Sequence, residues 1–116
     1  MRVLTADISR ETDDVTYELN DQQFDQGVDV QVEWIDVNPA PTGVVKLVIK
    51  DGDATQWVDI IGLTANMADH STSVGQVYSG SVILEETSYY GGVLGINYTR
   101  GNEITGKLNI YQISRG

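Results

Sequence analysis

The stretch QVYSGSVILEETSYYGGVLGINYTRGNEITGKLNIYQI, residues 76–113, decides the fold class of this chain. It contains three strand-like segments, at 76–86, 93–100 and 105–113, joined by connections rich in glycine. Glycine reaches the backbone angles of tight turns, so this spacing is typical of antiparallel strands. We predict an antiparallel meander here whose inward positions help to build the core. Those positions are Tyr78, Val82, Leu84, Leu94, Ile96, Tyr98, Leu108 and Ile110.

The clearest single strand is predicted over residues 28–37, where apolar and polar side chains alternate with a period of two. Trp34 belongs to the apolar face, so we expect it in the core. The alternation slips by one residue at Ile35, and Val37 then follows Ile35 on the new face. A slip of this kind indicates either a β-bulge at that point or a strand whose end is covered on both faces.

Two further apolar runs, at 43–50 and 56–61, flank the sequence Asp-Gly-Asp at 51–53. Asp-Gly is a strong hairpin signal, because glycine takes a positive φ at little cost. The two runs are therefore predicted to pair as a hairpin. The connection at 62–75 is weakly patterned and has room for a helical turn over 65–69.

The whole chain of 116 residues contains about eight strand-like segments and no convincing helix of three turns. Short strands separated by turn signals at a spacing of about 8–12 residues favour a sandwich or a barrel. We predict an all-β fold in a single domain, 1–116. Its expected architecture is an antiparallel β-sandwich of jelly-roll or Greek-key topology.

Composition excludes several classes of function. The chain has no cysteine, which rules out disulfides and thiolate metal sites. Its formal net charge of −10 disfavours nucleic acid and anionic membranes as partners, because an acidic protein releases no counterions from them. The sequence has neither a signal-like segment nor an apolar run long enough to span a bilayer. We expect a protein made and folded in the cytoplasm.

Acidic residues are concentrated in the first third of the chain. Residues 1–36 contain ten acidic side chains but only Arg2 and Arg10 as basic ones. From residue 82 onward the charges balance, with Glu85, Glu86 and Glu103 against Arg100, Lys107 and Arg115. Two interpretations stay open, a solubilising surface and an acidic patch that meets a basic partner protein. The candidates for such a contact are Asp7, Asp13, Asp14, Glu18, Asp21 and Asp25.

The sequence offers no pattern typical of an enzyme. Asp-His-Ser at 69–71 has the residue types of a catalytic triad, but a working triad converges from separate elements. Glu85 and Glu86 would project to opposite faces of a strand and could not share a proton. The Asp-Gly-Asp turn at 51–53 lacks the later ligands of a calcium loop. We therefore expect no catalytic residue, no cofactor and no metal site.

Exposed aromatic residues are the remaining candidates for a contact surface. Trp57 follows the 51–53 turn, and Tyr89 and Tyr90 lie in a predicted loop. Large aromatic side chains in loops are often contact residues, since they bury much apolar surface. These three residues could pack against a partner or stack on sugars.

An acidic, cysteine-free chain with strands rich in Thr, Ser, Asn, Gln and Gly resembles small virion proteins of tailed bacteriophages, of the capsid decoration or cement type. The resemblance is one of overall composition along the whole chain. It implies a non-enzymatic protein that binds and stabilises the shell, with the major capsid protein or another virion protein as its partner. It also implies a homodimer or homotrimer that is assembled in the host cytoplasm and ends in the virion.

Two further expectations concern how the chain makes its contacts. Under the resemblance, residues 2–8 could add a strand to a neighbouring subunit, because edge pairing needs only backbone groups. The alternative function is a carbohydrate- or receptor-binding β-sandwich, from a tail fibre or a glycan-binding domain. In that case Trp57, Tyr89 and Tyr90 would serve as stacking platforms.

Overall fold

The computed structural model describes residues 2–8, 14–19, 28–86 and 92–114. The described residues form nine strands and one short 3₁₀ helix. In chain order the elements are β1 (Arg2–Asp7), β2 (Asp14–Glu18), β3 (Val28–Asn38), β4 (Val44–Lys50), β5 (Val58–Asn66), the 3₁₀ helix (Met67–His70), β6 (Ser71–Val74), β7 (Val77–Glu86), β8 (Val93–Thr99) and β9 (Thr105–Ser114).

The strands form two antiparallel sheets that enclose one core. Sheet A has the order β1-β9-β3-β7-β6, and sheet B has the order β2-β8-β4-β5. Most connections cross from one sheet to the other, and without the short β6 the two strand orders are those of a jelly roll. The predicted all-β antiparallel sandwich is confirmed, and its topology is the jelly roll with one additional edge strand.

Residues 76–113 do not form the predicted meander. β7 and β9 both belong to sheet A, but β3 pairs with each of them and separates them. β8 lies in sheet B, between β2 and β4. Local turn signals locate these strands, but their partners come from elsewhere in the chain, and the meander prediction was wrong for that reason. The predicted inward positions nevertheless belong to the core or pack against it.

The β-bulge predicted at Ile35 is present in β3. The pairing with β7 shifts after Trp34 and the pairing with β9 shifts after Ile35, while Asp36 has a φ of 54°. The bulge turns Val37 back into the core, where its side chain is fully buried. Ile35 is half-buried on the outer surface of sheet A. Ile35 and Val37 therefore lie on opposite faces of the sheet, and the prediction that they share a face was wrong. Trp34 is buried as expected, and its indole N–H donates to Ser71 Oγ at 2.7 Å.

The predicted hairpin of β4 and β5 is also present, but β5 carries a second irregularity. Lys46 is opposite Thr64 while Val48 is opposite Asp59, so residues 60–63 of β5 bulge out of the ladder. Gly62 has a φ of 86° at this point, a value that few residues other than glycine adopt. After β5 the chain enters the 3₁₀ helix, which overlaps the helical turn expected over 65–69.

In the part of the chain that the structure describes, the sandwich has two open sides. β1 and β2 are the edge strands on one side, and β5 and β6 are the edge strands on the other. β1 pairs along its length with β9 of its own chain. Residues 2–7 are therefore part of sheet A, and the addition of this strand to a neighbouring subunit through its other edge stays a prediction.

Candidate interaction surfaces

The side of β1 and β2 carries the acidic candidates whose positions the structure describes. Inward side chains alternate with outward ones on β1, so Ile8 is buried while Asp7 is exposed on the outer surface of sheet A. Asp14 and Glu18 are exposed on β2, on the outer surface of sheet B. The structure thus distributes these three carboxylates over two outer surfaces and does not bring them to one point.

An open groove of about 710 Å³ lies on the outer surface of sheet A, next to β1. Its charged groups are Asp7, Asp36 and Lys107, and Lys107 is opposite Asp7 in the β1–β9 register. Within the described residues these three side chains form no salt bridge with each other. The described residues that line it are Thr5, Asp7, Ile8, Ile35, Asp36, Thr105, Gly106, Lys107 and Asn109.

A chain of hydrogen bonds fixes the polar side chains beside this groove. Thr5 Oγ1 donates to Asn109 Oδ1 at 2.7 Å, and Asn109 Nδ2 donates to Glu33 Oε1 at 3.3 Å. The hydroxyl of Tyr111 donates to the same carboxylate oxygen at 2.9 Å. The four residues come from β1, β9 and β3, so the bonds tie the edge strand to the centre of sheet A. A ligand in the groove would meet a preorganised wall rather than mobile side chains.

The outer surface of sheet B has a comparable polar row. Asn97 Nδ2 donates to Asp14 Oδ1 at 2.7 Å and to Thr16 Oγ1 at 3.0 Å. Thr99 Oγ1 donates to Asn97 Oδ1 at 3.1 Å. Asp14 is thus held by its own sheet, unlike Asp7, whose carboxylate has no such partner in the described part of the chain.

Trp57 lies half-buried on the outer surface of sheet B rather than in a protruding loop. Its six-membered ring covers Gly95, and a Cβ placed on that glycine would come within 3.1 Å of the indole. The ammonium group of Lys50 lies 5.0 Å from the ring centroid, within the range of a cation–π interaction. The indole therefore packs against the sheet and interacts with the Lys50 ammonium group, so only part of its surface is left for a ligand.

The side of β5 and β6 carries aliphatic side chains in solvent. Ile61, in the β5 bulge, is 99% exposed, and Val58 and Val74 are 60% and 81% exposed. None of these three residues was predicted from the sequence as a contact residue. The run Val-Asp-Ile-Ile-Gly at 58–62 contained the signal, since its two adjacent isoleucines cannot both face the core of a regular strand.

Glu103 was counted only in the charge balance of the chain after residue 82, and the structure buries it to 1% exposure. Its Oε1 accepts the Tyr98 hydroxyl at 2.8 Å and the Gly101 N–H at 3.0 Å. Its Oε2 accepts the Thr42 N–H at 3.1 Å. Burial and the hydrogen bond to this carboxylate raise the pKa of Tyr98 well above its usual range. This cluster holds the loop before β9 against the segment before β4 and has a structural role.

Five predicted contact residues, Asp13, Asp21, Asp25, Tyr89 and Tyr90, lie outside the described residues. Within the described part, no group of three or more His, Asp or Glu side chains converges as metal ligands would. The described segments also contain no helix with the length and apolar character needed to cross a bilayer.

Comparison with known proteins gives no assignment, because no protein-family model, no curated protein and no solved structure matches this chain. A function for it must be argued from its own surfaces. Those surfaces are an acidic side with an open groove and an opposite side with exposed aliphatic residues.

Proposed function

We propose that this chain is a non-enzymatic virion protein of the capsid decoration or cement type, which binds and stabilises the major capsid shell. The observation that carries the proposal is the exposed aliphatic set Val58, Ile61 and Val74 on the β5/β6 side. The jelly roll and the acidic first third are compatible with it but fit other binding modules as well.

Ile61 is the strongest element of this surface. Burying one isoleucine that is otherwise in water is worth about 1.5–3 kcal/mol, so a fully exposed one offers that energy to a partner. The bulge of residues 60–63 holds it away from the ladder. The side chain contributes little to the fold in this position, and contact with a partner gives it a role.

The two sides of the sandwich supply different contacts, as a protein that links neighbouring shell subunits requires. The β5/β6 side would bury aliphatic surface against one subunit. The β1/β2 side, with Asp7, Asp14 and Glu18, would face a basic surface of another subunit. Complementary charge adds specificity and a faster association rate more than it adds affinity.

Sedimentation with undecorated capsid shells tests the proposal. Wild-type protein is expected to sediment with the shells, and Ile61→Asp to lose most of this binding because a carboxylate would be buried in an apolar contact. Ile83→Asp is the matched control, since Ile83 is 48% exposed on the outer surface of sheet A. Equal binding of both variants would remove the aliphatic side from the proposal, and no binding of wild type would refute the function.

The same proposal includes a homodimer or homotrimer located in the virion. The mass of the free protein, measured by sedimentation equilibrium, tests the oligomeric state. The ratio of bound copies to shell subunits tests how many shell subunits each oligomer contacts. A monomer at every protein concentration would restrict the proposal to single copies that bind the shell.

A glycan- or receptor-binding module is the second candidate, and one observation favours it. Trp57 lies on the same outer surface as the polar row of Asp14, Thr16 and Asn97. An aromatic ring beside fixed hydrogen-bonding groups is a typical arrangement for a sugar. Binding to a glycan array that is lost in Trp57→Ala, but kept in Ile61→Asp, would favour this candidate over the capsid protein.

A further inference from the structure

We propose that the open edge of β1 accepts an extended, basic arm of the shell protein as an additional strand of sheet A. This inference rests on the proposed function and names the partner segment that the β1/β2 side would bind. Strand addition takes its affinity from backbone hydrogen bonds and its specificity from alternate side chains. β1 offers outward backbone groups for such hydrogen bonds and a groove for the alternate side chains.

The backbone of β1 directs two residues toward the open edge. Ile8 donates its N–H to the Gly106 carbonyl at 2.9 Å, so the backbone groups of Ile8 face β9. Backbone direction alternates along an antiparallel strand, and the register is regular from Leu4 to Asp7. The N–H and C=O groups of Thr5 and Asp7 therefore point away from β9. Among the described residues no strand pairs with them.

The groove beside β1 gives the added strand its side-chain preference. Alternate side chains of the arm would lie on the outer surface next to Thr5 and Asp7, at the edge of the 710 Å³ groove. A lysine or arginine there would meet the Asp7 carboxylate and leave Lys107 to approach Asp36. This arrangement matches the excess of acidic residues in the first third of the chain with a basic partner.

The other edges are less suited to strand addition. β5 is interrupted by its bulge, and β6 has only four residues. β2 is regular as well, and its Asp14 and Thr16 side chains are bonded to Asn97, as Thr5 of β1 is bonded to Asn109. The feature that distinguishes β1 is the groove with the Asp7 carboxylate, which has no bonded partner among the described residues. Bulges and short strands protect sheet edges from pairing. β1 has a register shift between Arg2 and Leu4 but is regular from Leu4 to Asp7, beside its groove.

Two variants at Thr5 separate backbone from side chain. Thr5→Pro removes the N–H at the open edge without touching a backbone bond to β9. Both Thr5→Pro and Thr5→Ala lose the hydroxyl that donates to Asn109, but Thr5→Ala keeps the N–H. We expect Thr5→Pro to bind shells about tenfold more weakly than Thr5→Ala, the effect of losing one well-formed hydrogen bond. Equal binding of the two folded variants would overturn the inference while the proposed function stands.

Amide hydrogen exchange on the wild-type protein tests the edge independently of any variant's folding. The probes are undecorated shells and two synthetic peptides of alternating sequence, Lys-Thr and Glu-Thr. Shells and the Lys-Thr peptide are expected to slow exchange of the Thr5 and Asp7 amides about tenfold or more, while the Glu-Thr peptide does not. If the wild-type protein fails to bind shells, the proposed function is refuted. The two peptides alone then test whether the edge of β1 accepts a strand. No protection of these two amides by any probe would overturn the inference.

Discussion

Glu103 and Asp7 are both carboxylates at the end of a strand or beside it, yet the molecule uses them in opposite ways. Glu103 is 1% exposed and accepts three hydrogen bonds from three different residues. Asp7 is exposed in an open groove, where the described residues offer it no salt bridge. The comparison teaches that burial, and not residue type, decides whether a carboxylate stabilises the fold or is left for a partner.

The buried site should show the largest effect on stability. Glu103→Ala would leave the Tyr98 hydroxyl and the N–H groups of Gly101 and Thr42 without their acceptor, so we expect the free energy of unfolding to fall by about 3 kcal/mol or more. Urea denaturation measures it. Glu103→Gln is the control, since it keeps one acceptor oxygen and should cost less. A loss below about 1 kcal/mol for Glu103→Ala would contradict the assigned role.

High pH should lower the stability of the fold through Tyr98, the hydrogen-bond partner of Glu103 at the same buried site. The folded-state pKa of Tyr98 is raised above that of the unfolded chain, which is near 10. The stability from its neutral hydroxyl is therefore fully present below pH 10 and is lost as the pH rises above that value. Each buried tyrosine adds a slope of about 1.4 kcal/mol per pH unit in that range.

Urea denaturation between pH 8 and pH 11 measures this loss. Tyr98→Phe should flatten the slope but lower the stability at pH 8, because it removes the hydrogen bond to Glu103. Burial also raises the pKa of Tyr17, so part of the slope should remain in the variant. An unchanged slope in Tyr98→Phe would show that this hydroxyl is accessible to water in the folded state.

The smallest effects are expected on the acidic side. Asp14→Ala removes an acceptor from Asn97 and should cost about 1 kcal/mol in the free energy of unfolding. Asp7→Ala removes a side chain without such a partner and should change it by less than about 0.5 kcal/mol. Thermal unfolding of the two variants side by side measures the difference. A larger loss for Asp7→Ala than for Asp14→Ala would break the contrast between a structural and a free carboxylate.

Local sequence patterns predicted eight of the nine described strands and much of the core. They missed β6, which lies in the predicted connection 62–75, and the last residues of β5. Alternation located β3 and its bulge at Ile35, and the Asp-Gly turn located the β4–β5 hairpin. The pairing of β7 and β9 with β3 could not be predicted in this way, because side-chain periodicity carries no information on which distant strand is the partner.

The contact surfaces were harder to predict than the strands. The exposed position of Ile61 depends on a register shift in β5, and the burial of Glu103 depends on Thr42 and Tyr98 from other elements. Nothing in the tripeptide Gly-Asn-Glu at 101–103 distinguishes a buried anchor from an ordinary turn. The sequence indicated that Trp57 could contact a partner or a sugar, but it could not show what the ring itself packs against. The structure places the ring over Gly95, a residue 38 positions further along the chain.

The pairing of β1 with β9 also determines when the molecule can be completed during synthesis. Arg2 lies in register with Tyr111, so the first described strand of the sandwich can pair only after the last described strand has been made. Until β9 is available, β1 has no neighbour in sheet A among the described strands, while β3 can already pair with β7. The sheet edge that we propose for a partner is therefore completed only once β9 has been made.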